Sequence, residues 1–325
     1  MIYNILKWIA GIALHWFYRD IRIVDGGRIP ARGPLIIAVN HHNALVDSLI
    51  IAWVIPRRIA MTAKATLKDN PLIAFVFRLV NVVPLRRVSD ELEKLKTGAV
   101  DRSRNQGAFS EILGLLATEG AVLIFPEGKS HNEPRVEPLK TGMARIALQA
   151  RDEKGIRGVR ILPIGLVFED KGTPGSAATA HIGVPIEIDQ WRGSDPVALT
   201  AEVGSQLKAL AEHRTIVHPE IARAEHGRPV IREVLISIAA WWGRVTHRLP
   251  IRIARALAVS RSTDADQPAM LTIMFGIGLV LLTYAVHLTI VGIVSHSAVL
   301  VLLYLVGLVS GAYWAAFESR FRRPR

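Results

Sequence analysis

The sequence predicts an α/β fold: a three-layer, mixed-sheet domain preceded by an interfacial amphipathic helix and followed by a transmembrane helical hairpin. Three observations predict it. From residue 20 to about 215, short apolar runs bounded by turn residues alternate with helical patterns, as helices packed on a sheet require. Before that stretch, apolar and polar residues recur at helical spacing. After it, Gln267–Phe317 holds no Asp, Glu, Lys or Arg. The expected boundaries are 1–19 for the interfacial helix, 20–215 for the α/β domain, 216–266 for a basic amphipathic connector, and 267–325 for the hairpin and its basic tail.

The elements follow in order. Asn4, Lys7, Gly11 and His15 share one helical face, opposite Ile2, Ile5, Leu6, Ile9, Ile12 and Trp16. With Trp8, Trp16, Phe17 and Tyr18, this helix suits a lipid surface. A cleaved signal peptide is not expected, because a basic leader and a small-residue cleavage site are missing. Strands are expected at Ile21–Val24 and Leu35–Val39, helices at Ala44–Val54 and Pro71–Leu79, and a strand at Val82–Leu85. A helix near Ser110–Thr118 leads into the strand Ala121–Phe125. Leu139–Ala150 reads as helix, Val159–Val167 as a long strand, and His181–Ile188 as one more. Gly172-Thr173-Pro174-Gly175-Ser176 has the composition of a surface loop. Residues 197–214 read as helix, and Val230–Val259 as an apolar, arginine-rich connector broken by Pro250.

Ser295-His296-Ser297 divides the uncharged stretch into Met270–Val294 and Ala298–Phe317. Each arm reaches the roughly 20 helical residues that a hydrocarbon core needs. Both flanks are basic: Arg244, Arg248, Arg252, Arg255 and Arg261 before, and Arg320, Arg322, Arg323 and Arg325 after. The positive-inside rule therefore predicts an integral protein of the cell membrane, with its α/β domain and both hairpin ends in the cytoplasm. The Trp241-Trp242 pair among these arginines fits a segment lying at the lipid surface.

The net charge is +12, from 40 Lys+Arg against 28 Asp+Glu. Nucleic-acid-binding signatures are absent, so anionic lipids and phosphorylated or thioester-linked substrates are the expected partners. With no cysteine, disulfides, thiolate nucleophiles and cysteine metal sites are excluded. His41, His42 and His131 make no recognised metal-ligand spacing with carboxylates, and no metal is expected.

Two clusters carry chemistry. In Asn40-His41-His42-Asn43-Ala44-Leu45-Val46-Asp47, Asn43 is a good N-cap for a helix beginning at Ala44. His42 then precedes the cap and Asp47 is the fourth helical residue, the two positions that meet in a hydrophobic staple. An imidazole at His42, oriented by Asp47, is the expected base. The preceding strand delivers it to a strand's carboxyl end, where open α/β sheets place their sites. In the second cluster, the strand Ala121–Phe125 runs into Pro126-Glu127-Gly128-Lys129-Ser130. Pro126 ends the ladder and Gly128 permits a sharp turn, whose amides suit a phosphate or a developing oxyanion.

At these residues the chain resembles the glycerophospholipid acyltransferases, a family that includes glycerol-3-phosphate and lysophosphatidic acid acyltransferases. Asn40, His42 and Asp47 match its first block, and Val83-Pro84-Leu85-Arg86-Arg87 its second. Phe125-Pro126-Glu127-Gly128-Lys129-Ser130 matches the third and Ile161-Leu162-Pro163-Ile164-Gly165 the fourth. The order and separations agree over roughly residues 20–190. Asn81 stands where many members have glycine, and Pro84 where an aromatic is common. Pro84, Asn43–Asp47, Ser130-His131 and Glu137–Gly142 are similar to the glycerol-3-phosphate branch.

The resemblance implies direct acyl transfer from acyl-CoA or acyl-carrier protein to a phosphorylated glycerol, with no cofactor and no covalent enzyme intermediate. It implies His42 as base and Asp47 as its orienting acid. Arg87, or the adjacent Arg86, would bind the acceptor phosphate, since strand alternation turns only one of them inward. Glu127 and Gly128 would shape the acceptor pocket, with Ser130, Lys64 and Lys140 as secondary contacts. The expected acceptor is glycerol-3-phosphate, in phosphatidic acid biosynthesis. Lysophosphatidic acid or another lysolipid is the enzymatic alternative, and a lipid-binding scaffold the non-enzymatic one. A hydrolase using Ser130 lacks the Gly-x-Ser-x-Gly elbow.

Overall fold

The strand Leu35–Val39 (β2) is buried at every residue, because parallel neighbours flank it on both sides. Leu35 pairs with Ala121 of β5 (Ala121–Ile124) and with Arg160 of β6 (Arg160–Phe168). Ile36 and Ala38 enter one core with Ile112 and Leu116 of α3 (Gln106–Ala117), Met143 and Ile146 of α4 (Gly142–Asp152), and Leu199 and Val203 of α5 (Pro196–Glu212). Alternation turns Leu35, Ile37 and Val39 to the opposite face, where they are equally buried.

This computed structural model describes residues 2–64, 82–85, 106–131, 133, 135–212, 230–262 and 267–317. The helix expected over 71–79 lies outside them, as do Arg86, Arg87 and the side chain of Lys64. Among the described residues the sheet has eight strands, in the order β1-β7-β6-β2-β5-β3-β4, with β8 on β6. Here β1 is Asp20–Val24, β3 is Ala60–Lys64, β4 is Val82–Leu85, β7 is Ala177–Ile182 and β8 is Ile186–Glu187. β8 is antiparallel to β6, whereas β2, β3, β4, β5 and β6 pair in parallel, so the sheet is mixed as expected. The expected strand His181–Ile188 is instead the end of β7, a turn and the two-residue β8. β3 was not expected. Its sequence, AMTAK, carries little strand propensity, and pairing with β4 and β5 extends it.

By its internal contacts the chain divides into two compact units. One comprises Met1–Lys7, Arg22–Val167 and Thr179–Arg214; the other comprises Trp8–Ile21, Phe168–Ala178 and Thr215–Arg325. The N-terminal helix α1 (Ile2–Phe17) keeps its two faces but uses them in an instructive way. Of its polar row, Asn4 is exposed, Lys7 Nζ donates to Ile55 O at 2.6 Å, and Gly11 and His15 are buried. Ile2 and Ile5 of its apolar row, with Trp8, are exposed, while Leu6, Ile9, Ile12 and Trp16 are half-buried.

In the second unit the connector is one helix, α6 (Val230–Arg261), continuous through Pro250. It packs against α7 (Gln267–Ser295) and α8 (Ala298–Phe317). α7 and α8 form the expected hairpin, and each is long and apolar enough to cross a membrane. A Cβ on Gly243 would fall 1.9 Å from Gly311 O, so α6 and α8 meet backbone to backbone. His247 Nε2 and the Tyr284 hydroxyl share a hydrogen bond of 2.7 Å between α6 and α7.

Candidate active site

β2 delivers the site through Asn40, which is fully buried. Its amide donates to Leu166 O at 2.9 Å and accepts from Leu166 N at 2.7 Å, so a side chain continues the β2–β6 pairing one step past the strand. The chain then turns into α2 (Ala44–Val54), which starts as expected. The capping differs. The Asn43 side chain makes no cap hydrogen bond; its backbone N–H donates to Asp47 Oδ2 at 2.8 Å. Ala44 takes a left-handed conformation, φ 44°, and its N–H donates to Ser130 Oγ at 3.1 Å. Two of the helix's orphan donors are thereby satisfied by Asp47 and Ser130.

That turn decides which histidine meets the acid. The expected contact was His42 with Asp47. The structure sets His41 Nδ1 3.0 Å from Asp47 Oδ2 instead. A staple between the residue before the cap and the fourth helical residue presumes a regular first turn. The left-handed Ala44 redirects the chain at that point, so the second residue before the cap reaches the carboxylate. His41 is held on every side. Its ring stacks on Phe125 with centroids 3.9 Å apart, its N–H donates to Glu127 Oε1 at 2.7 Å, and its carbonyl accepts from His131 N at 3.2 Å. His42, half-buried, lies edge-on to the His131 ring at 4.6 Å.

The second cluster follows β5. Gly128 sits at φ 80°, a conformation that favours glycine, and its N–H donates to Phe125 O at 3.0 Å. Glu127, expected to shape the acceptor pocket, points inward with its side chain wholly removed from solvent. Its Oε2 accepts from Glu137 N at 2.7 Å and pairs with His131 Nε2. Lys140 is exposed, and its backbone N–H donates to Pro126 O at 2.7 Å.

The structure thus brings together His41, His42, Asp47, Glu127, Gly128, Ser130 and His131 at the carboxyl ends of the adjacent parallel strands β2 and β5. The sequence reading assigned no role to His41 or His131. The signal for His41 was its place directly after the strand-ending Asn40; for His131, its spacing of four from Glu127.

With Nδ1 on a carboxylate, Nε2 is the imidazole nitrogen left to take a proton, and Asp47 stabilises the imidazolium so formed. This arrangement serves general-base activation of a hydroxyl.

The Acyltransferase family matches residues 20–167. Glycerol-3-phosphate O-acyltransferase 1 of Saccharomyces cerevisiae is 24% identical over 269 residues, covering 58% of this chain and 35% of the yeast protein. A 1-acyl-sn-glycerol-3-phosphate acyltransferase of Cocos nucifera is 26% identical over 152 residues, covering 46% of this chain and 44% of its own length. The chain therefore spans less than half the length of either relative. The crystal structure of the 1-acyl-sn-glycerophosphate acyltransferase PlsC from Thermotoga maritima shares the fold, with a TM-score of 0.50 and 20% identity over 66% of this chain and 80% of that one. Residues 20–167 are thus similar to the Acyltransferase family, and the chain shares its fold with a solved 1-acyl-sn-glycerophosphate acyltransferase.

Proposed function

We propose that this protein is a membrane-associated acyltransferase that moves a fatty acyl group from an acyl thioester to a hydroxyl of glycerol-3-phosphate. The observation that carries the reading is the 3.0 Å contact between His41 Nδ1 and Asp47 Oδ2, at the end of the central parallel strand. In this reading His41, one residue before the position expected from sequence, is the base. Its Nε2 takes the hydroxyl proton as the acceptor oxygen attacks the thioester carbonyl. The C–O bond forms, the tetrahedral intermediate expels the thiolate, and His41 returns the proton to sulfur. Asp47 orients the ring through Nδ1. The donor is acyl-CoA or acyl-carrier protein. Arg87 or Arg86 binds the acceptor phosphate, aided by Lys64 and Lys140, and Gly128 and Ser130 shape the turn beside it.

The glycerol-3-phosphate assignment rests on the resemblance of Asn43–Asp47 and of Ser130-His131 to that branch. Lysophosphatidic acid is the second acceptor to consider, because the relatives include enzymes named for it. The α7–α8 hairpin supports membrane association, and Arg261 with Arg320, Arg322, Arg323 and Arg325, next to its two ends in sequence, supports a cytoplasmic catalytic unit.

The test is acyl transfer by the full chain in nanodiscs, with glycerol-3-phosphate, lysophosphatidic acid and a non-phosphorylated alcohol offered in parallel. His41→Ala is expected to lower kcat by about 10²–10⁴-fold, the usual contribution of a positioned base. His42→Ala is expected to cost far less. A dead His42→Ala beside an active His41→Ala overturns the assignment of the base. Transfer to none of the acceptors, with lipid binding retained, overturns the enzymatic reading.

A further inference from the structure

Glu127 is a carboxylate sealed from water, and such a group persists only where donors surround it. Three do: His41 N, Glu137 N and His131 Nε2. Two of its ties close a ring around the backbone of one residue, His41. Glu127 Oε1 takes the His41 N–H, while the His131 backbone N–H donates to the His41 carbonyl. The His131 side chain returns to Glu127 Oε2, completing the circuit His41–Glu127–His131–His41. Among the described residues His131 is the ionisable partner of Glu127, and its side chain is only 6% exposed. His41 is thus gripped at both ends of its own backbone by a pair that makes no demand on its ring. The ring is left to Phe125 and Asp47.

We propose that His131 and Glu127 are positioning residues that lock the His41 peptide and so aim its imidazole at Asp47, rather than contacts for the acceptor. This rests on the reading of His41 as the base. The alternative, an acceptor-binding Glu127, would need a carboxylate turned to solvent, whereas all three donors draw it inward. His131→Leu removes the ring's N–H but keeps the backbone donor. His131→Gln restores an N–H near the position of Nε2. Glu127→Gln turns an NH2 group towards donors it cannot accept from.

The experiment uses the full chain in nanodiscs, with two readouts on each variant. The first is the split between kcat and the acceptor KM. His131→Leu and Glu127→Gln are expected to lower kcat about 10²-fold, the scale of a misplaced catalytic group, with acceptor KM within about twofold. His131→Gln recovers most of the loss. The second readout, taken without substrate, is the ¹⁵N NMR signature of the His41 imidazole. Wild type and His131→Gln are expected to show a single Nδ1–H tautomer, and His131→Leu a mixture. A rise in acceptor KM at unchanged kcat, or an unaltered His41 signature in His131→Leu, overturns the proposal. The NMR result stands whether or not His41 proves to be the base, so failure of that reading remains distinguishable.

Discussion

Ser130 ties the two loops of the candidate site together, because its hydroxyl accepts the N–H of Ala44, the left-handed residue that starts α2. Ser130→Ala leaves that donor unsatisfied and is expected to destabilise the protein by about 1 kcal/mol, measured by denaturant unfolding in detergent. Turnover that survives the change excludes Ser130 as a nucleophile. Asp170 makes a similar local clasp on the surface loop. It accepts from Gly172 N at 3.0 Å, Thr173 N at 3.2 Å and Thr173 Oγ1 at 2.7 Å. The Thr173 hydroxyl, and then the Gly172 N–H, hold its carboxyl below the ordinary value. A depressed carboxyl stabilises the fold above its unfolded pKa of about 3.9, and the contribution is lost as pH falls through the lower folded value. Asp170→Asn should therefore flatten the acid limb of a Tm-against-pH series and leave its neutral region nearly level. At this scale the place of Asp47 beside a histidine was legible in the sequence, and which of the two adjacent histidines it meets was not. Nothing in the letters of Ala44 announces a positive φ, which alanine adopts only when its surroundings compel it.

Among the elements, the α6–α8 crossing is the most exacting. Gly243 and Gly311 approach so closely that a methyl at Gly243 would collide with the Gly311 carbonyl. Gly243→Ala is expected to cost about 1–3 kcal/mol, the usual range for overpacking, seen as a lower melting temperature in detergent. Pro250 was expected to break the connector, yet α6 runs through it. A mid-helix proline costs about 3 kcal/mol, which packing of Ala240, His247, Ala254 and Ala258 offsets by burying the face that meets α7 and α8. Packing also explains what the sequence did reveal. α2, α7, α8 and β2 matched expectation to within a few residues, because apolar periodicity and the lack of charge are local properties. β3 escaped notice because its partners, not its own residues, make it a strand.

For the molecule as a whole, the course of α6 changes the meaning of its arginines. The sequence reading treated them as a flank preceding the hairpin, but α6 folds back along it. Ala254 lies against Gly276 and His247 against Tyr284, so Arg244, Arg248, Arg252 and Arg255 run beside α7. Arg244, Arg248 and Arg252 are exposed, on the side of α6 away from Trp242 and Gly243, which meet α8, whereas Arg255 is half-buried. An arginine at a bilayer's centre costs roughly 2.5–3.5 kcal/mol, so this side of α6 belongs against headgroups or water. Arg248→Cys in sealed vesicles is accordingly expected to react with a membrane-impermeant maleimide without added detergent; protection until detergent is added would count against it. What the sequence determined by itself was the alternation of the α/β domain, the two apolar arms, and the loops that gather at the strand ends, since each is written in the order and spacing of neighbouring residues. Only tertiary structure decided that His41 meets Asp47, that Glu127 turns inward, and that α6 lies along the hairpin. Those outcomes depend on partners as far apart in the chain as His41 and Glu127, 86 positions, whose meeting is set by sheet register and packing rather than by any local pattern.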